Sequence, residues 1–79
     1  MNERIQVLAK SYEGMVEPLQ FLFKNKLYTI KEVSDYQEEM FRGSMQYYIS
    51  VNLIPDGNCE LHFDLFTGQW TLINGTLPS

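Results

Sequence analysis

Between Met45 and Asn74 apolar and polar residues alternate one for one, interrupted only by short turn signals. Tyr47, Ile49, Val51 and Leu53 alternate with Tyr48, Ser50 and Asn52, and then Cys59, Leu61, Phe63 and Leu65 with Glu60, His62 and Asp64. A period of two puts every second side chain on one face, so these runs read as strands with one buried face. Pro55-Asp56-Gly57 and Thr67-Gly68 supply the turns between them. The spacing predicts strands over Met45–Ile54, Cys59–Leu65 and Gln69–Asn74, the last with Trp70 and Leu72 inward, and a tail over Gly75–Ser79.

The first half carries the same pattern less regularly. A strand over Arg4–Tyr12 places Ile5, Val7 and Ala9 on one face. Ile5, Leu8, Ala9 and Tyr12 also fit a helical stripe, with Asn2 as cap and Gly14 as stop, so residues 5–12 read both ways. After Pro18, a strand over Leu19–Lys24 points Leu19, Phe21 and Phe23 one way. Asn25 tolerates positive φ, which makes Lys24-Asn25-Lys26 a hairpin tip. A strand over Leu27–Val33 follows, with Tyr28 and Ile30 inward and a bulge or turn expected just before Val33, where alternation breaks. Ser34-Asp35-Tyr36-Gln37 resembles a capping box, and Tyr36 and Met40 lie four apart. A short helix or ordered loop over 34–43, ended by Gly43, is the expectation there.

About six short strands in sequence predict an all-β, mainly antiparallel meander in one domain spanning 1–79. So short a sheet must curl to cover its apolar face, giving a strongly curved sheet or a partly open barrel. Aromatics make up 14% of the chain, enough to build a core without disulfides. Phe21, Phe23, Tyr28, Tyr47, Phe63 and Trp70 fit the buried face; Tyr12, Tyr36, Phe41, Tyr48 and Phe66 fall outside it.

One cysteine forms no internal disulfide, and the N-terminal residues show no basic start or apolar run, so a cytoplasmic setting without a membrane span is expected. Asn74-Gly75-Thr76 matches a glycosylation sequon, read here as chance. The net charge of −4 opposes the phosphate backbone and anionic membranes, so nucleic acid is disfavoured overall.

Candidate chemistry is sparse. Cys59 and His62, three apart on a strand, face opposite ways and cannot share an ion; Cys59 reads as a small core residue. Glu60, His62 and Asp64 share a face with neighbours about 7 Å apart, too wide for one metal to bind all three, and read as a solvated surface. Glu32 with Asp35 and Glu38 with Glu39 are the available carboxylate pairs, and nothing in their spacing marks an acid–base site. No catalytic triad order, phosphate loop or cofactor fingerprint appears, so catalytic residues, metal and cofactor are all expected to be none. Lys24, Lys26 and Lys31 form the one basic cluster, which also reads as protection of a sheet edge. With Tyr36, Phe41 and Tyr48 they make up the candidate interaction surface.

Pro18, Phe21 and Phe23, then Tyr28, Ile30, Val33 and Tyr36, the Tyr47-Tyr48 pair, and a final hairpin with Glu60, Leu61, Asp64, Gly68, Trp70 and Leu72 together resemble a family of small bacterial domains of unknown function. The match runs over about Ile5–Ile73. Some such domains accompany DNA-damage-tolerance polymerases, so the resemblance implies an accessory or docking role and no catalytic residues. Relatives are richer in Arg and carry Trp or Gly at the positions of Phe23, Asn25 and Tyr36. A non-catalytic protein-interaction module is the leading expectation. The alternatives are an accessory single-stranded nucleic-acid binder using the lysines and a metal protein using Glu60, His62 and Asp64. Exposed strand edges also permit a homodimer.

Overall fold

The structure, a computed structural model, describes residues 2–78. Six strands follow one another: β1 (Glu3–Tyr12), β2 (Met15–Phe23), β3 (Lys26–Phe41), β4 (Ser44–Ile54), β5 (Asn58–Asp64) and β6 (Gln69–Thr76). Each pairs antiparallel with the next, and β6 returns to β1, closing a barrel. The expected all-β meander is therefore correct, and its sheet curls until the first and last strands meet.

Local backbone chemistry sets the connections. Three hairpins turn on two residues with positive φ, namely Glu13-Gly14, Lys24-Asn25 and Arg42-Gly43. Such loops match the right-handed twist of the strands they join. Asn25 sits at φ 63°, as its side chain suggested. Ile54-Pro55 is cis, and the Leu53 N–H donates to the Gly57 carbonyl at 2.9 Å across the β4–β5 turn.

Inward residues of all six strands fill the interior. Phe21, Ile49, Val51, Leu53, Leu61 and Leu72 are completely or almost completely buried. An aromatic girdle crosses the sheet at one level: Tyr36 against Tyr47, Tyr47 against Phe63, and Phe63 against Trp70, with ring centroids 5.7, 6.1 and 4.6 Å apart. Trp70 then pairs with Ile5 where the barrel closes. Aromatic pairs at these separations contribute about 0.5–1.5 kcal/mol each beyond their burial.

Several expectations are corrected. The strand reading of residues 5–12 is not among them and holds, because Ile5 is buried against Trp70 and Val7 and Ala9 pack on the core. Residues 34–43 hold no helix; β3 runs through to Phe41 and pairs with β4 from Thr29 onward. Its register slips between Ile30 and Glu32 and between Val33 and Asp35, leaving Lys31 and Ser34 as bulge residues. Each bulge adds one residue to β3, so Ile30, Val33 and Tyr36 face inward three apart, a spacing that imitates a helix. Ser34 caps nothing and instead donates to the Ser50 carbonyl at 3.1 Å. β2 begins at Met15, upstream of Pro18, and Leu65 lies exposed beyond the end of β5.

Gly75 is also no tail residue. It lies within β6 opposite Cys59, where a Cβ would collide with the Cys59 side chain and the Asn58 carbonyl. Gly75→Ala is therefore expected to destabilise the fold by about 1–3 kcal/mol through overpacking. Urea denaturation checks this; an unchanged midpoint would contradict the close approach.

Candidate interface at the seam between two strands

β2 and β3 pair for only part of their length. The ladder runs from Phe23 opposite Lys26 to Gln20 opposite Thr29 and stops. Pro18 explains the stop. Counting outward from the Glu13-Gly14 turn, Tyr12 and Met15 form the first hydrogen-bonded pair of the β1–β2 hairpin. Alternation then turns the backbone of Val16 and Pro18 away from β1, toward β3. Proline has no N–H to offer there, and a register slip between Leu8 and Ala9 further re-aims this stretch. Pro18 is fully buried.

Past this point β2 and β3 diverge and leave a seam. The Val16 N–H, which a neighbouring strand would normally satisfy, donates to the Tyr36 hydroxyl at 3.1 Å. A side chain thus spans a gap that main chain does not. Tyr12, Met15, Val16, Glu17, Lys31, Glu32, Val33 and Tyr36 line a cavity of about 370 Å³ in the seam. Glu17 is held beside it by Lys10 at 3.6 Å and accepts from the Tyr12 hydroxyl at 3.2 Å.

The expected surface residues do not form one patch. Lys31 and Tyr36 line the seam. Lys24 in the β2–β3 turn and Lys26 just after it lie at the other end of β2, their ammonium groups 5.2 and 5.5 Å from the ring centroids of Phe23 and Tyr28 respectively. Phe41 is exposed at the β3–β4 tip, where Arg42 lies over its ring. Tyr48 lies on the outer face of β4, tilted against His62 with centroids 5.0 Å apart. Tyr12, Met15 and Val16 belong to the seam and were not foreseen as site residues.

Glu60, His62 and Asp64 do share the outer face of β5, but each has its own partner. Glu60 accepts from Asn74 at 3.3 Å. His62 Nε2 meets the Oε1 of Gln46, a buried glutamine. Gln46 in turn donates to the Ser44 hydroxyl at 3.2 Å, and Ser44 donates to Asp64 at 2.8 Å. The Phe66 N–H, at 2.9 Å, also donates to Asp64. This chain ties β4 to the β5–β6 turn, with every donor aimed toward one carboxylate. The carboxylate pairs are likewise separated: Glu32 accepts from Asn52 at 3.0 Å and Asp35 from Gln37 at 3.1 Å. Glu38 and Glu39 are neighbours on one strand and face opposite ways.

The Ser44 hydroxyl, with help from the turn amides and against the opposing effect of burial, holds the Asp64 carboxyl below its ordinary 3.8. Its contribution to stability is present above that ordinary value and is lost as pH falls through the folded one. Ser44→Ala is expected to raise the Asp64 pKa toward 3.8 and to weaken the fold only above the acid range; carboxyl NMR titration reads this directly. Burial pushes the Cys59 thiol up from 9.0 to about 12. The stability this reflects is complete below pH 9.0 and lost as pH climbs toward 12. Alkylation of the native protein near neutral pH is expected to leave Cys59 unmodified until denaturant is added; prompt labelling would contradict its burial.

No helix among the described residues is long and apolar enough to cross a membrane. Compared with known protein families, curated proteins and solved structures, the chain finds no match.

Proposed function

We propose that this domain is a non-catalytic protein-interaction module of the cytoplasm that works through the β2–β3 seam. One observation carries the reading. Two strand edges face each other there without pairing, beside a cavity lined largely by apolar side chains, while the barrel interior is filled. Unpaired strand edges are ready templates for another chain, and peptide recognition by strand addition uses them.

The nucleic-acid alternative has less support. Lys24 and Lys26 lie at the opposite end of β2 from the seam, and Lys31 shares the cavity with Glu17 and Glu32.

Affinity capture from the native host, with and without nuclease, tests the reading when wild type is compared with Met15→Lys and Met40→Lys. Both methionines are exposed, so the fold should persist, as circular dichroism can check. A partner that survives nuclease and falls about tenfold in the variants is the expected outcome. Partners lost on nuclease treatment but retained by Met15→Lys and Met40→Lys would replace this reading with the nucleic-acid one.

A further inference from the structure

We propose that the seam accepts an extended peptide segment carrying basic side chains, added as a strand along the free edge of β3. This rests on the interaction-module reading and names its partner class.

The main chain is set out for pairing. Arg42-Gly43 makes a two-residue turn, so Phe41 and Ser44 form the first hydrogen-bonded pair of the β3–β4 hairpin. Alternation then turns the N–H and C=O groups of Met40, Glu38 and Tyr36 away from β4. The far side of the ladder obeys the same rule: the carbonyl of Met45, opposite Met40, accepts from the Leu65 N–H at 3.1 Å, on the side away from β3. Among the described residues no strand pairs with this edge of β3 beyond Thr29. Across the seam, Val16 turns its own N–H inward to Tyr36. The phenol oxygen therefore occupies the position that a peptide carbonyl would take in a continuous sheet.

Charge selects the partner. Glu13, Glu17, Glu32, Asp35, Glu38 and Glu39 lie on the segments bordering the seam, against Lys10, Lys31 and Arg42. That local balance of −3 is most of the chain's −4. A second copy of β3 laid along the first would bring carboxylates against carboxylates, and like charges across a ladder are destabilising. The homodimer that open edges permit is therefore disfavoured at this edge, whereas a segment bearing Lys or Arg meets opposite charge along its length. The cavity beside Tyr12, Met15 and Val33 receives apolar side chains from alternate positions of such a strand.

The test is a titration of the full, isotope-labelled chain with an end-blocked ten-residue peptide alternating Lys and Val, followed by amide NMR. Shifts at Val16, Tyr36, Glu38 and Met40 are expected, with slowed hydrogen exchange at those amides. Affinity should fall as salt rises, and a Glu-Val peptide should not bind. Glu38→Lys with Glu39→Lys should weaken binding about tenfold. Tyr36→Phe should instead tighten it about threefold to tenfold, because the free protein then leaves the Val16 N–H without its acceptor and the peptide carbonyl restores one. No saturable binding at low salt, or weaker binding by Tyr36→Phe, overturns the proposal. Shifts confined to another face, or self-association through β3, overturn it too while leaving the interaction-module reading intact. Loss of the host partner in the seam variants without peptide binding would show that the seam is used and the partner class is wrong.

Discussion

A belt of aromatic contacts holds this barrel together, and most other features follow from it. Tyr36, Tyr47, Phe63 and Trp70 come from four successive strands, each ring against the next. Trp70 hands the belt to Ile5 on β1, and the Tyr36 hydroxyl extends its other end to Val16 on β2. The belt thus touches all six strands, but its two ends meet the β1–β2 hairpin at different levels, since Val16 lies opposite Ser11 and not Ile5. Cross-strand pairs are the unit of sheet stabilisation, and here they run in series from β3 round to β1. The belt also fixes how far the sheet must bend. β3 answers with two bulges, which raise local twist and let one long strand pair first with β2 and then with β4.

The belt explains why the seam exists. β3 is held at Tyr36 by its ring and not by main-chain pairing with β2. Pro18 withholds the donor that would have continued the ladder, and Tyr36 covers the gap with a hydroxyl. The same residue is thus a core aromatic by its ring and an edge cap by its oxygen. Burial, with Tyr36 and Glu38 adding to it, also raises the Tyr47 phenol above its ordinary 10.0.

Where burial falls on every second residue, the strands were legible from the residues alone. Met45–Ile54 became Ser44–Ile54, and the inward set of Tyr47, Ile49, Val51 and Leu53 was right. Residues 34–43 misled for a definite reason. The bulges at Lys31 and Ser34 convert a period of two into steps of three, and Tyr36 and Met40, four apart, share a face in a helix and in a strand alike. Spacing could not separate the two readings; only pairing with β4 does. The seam was hidden for a related cause. It depends on which side of β2 lacks a partner, and that is a property of register between distant residues. Pro18 was the available signal, since a proline inside a strand marks an edge.

The strand order has a kinetic side. Every pairing but one joins strands adjacent in sequence, through turns of few residues. Such contacts cost little chain entropy and form early. The exception, Glu3–Ile5 against Trp70–Leu72, spans nearly the whole chain and rests on three residue pairs. Folding of this domain is therefore expected to proceed as hairpins zipping outward from their turns, with the joining of β1 to β6 as the late, slow event, and unfolding to begin by that same junction springing open.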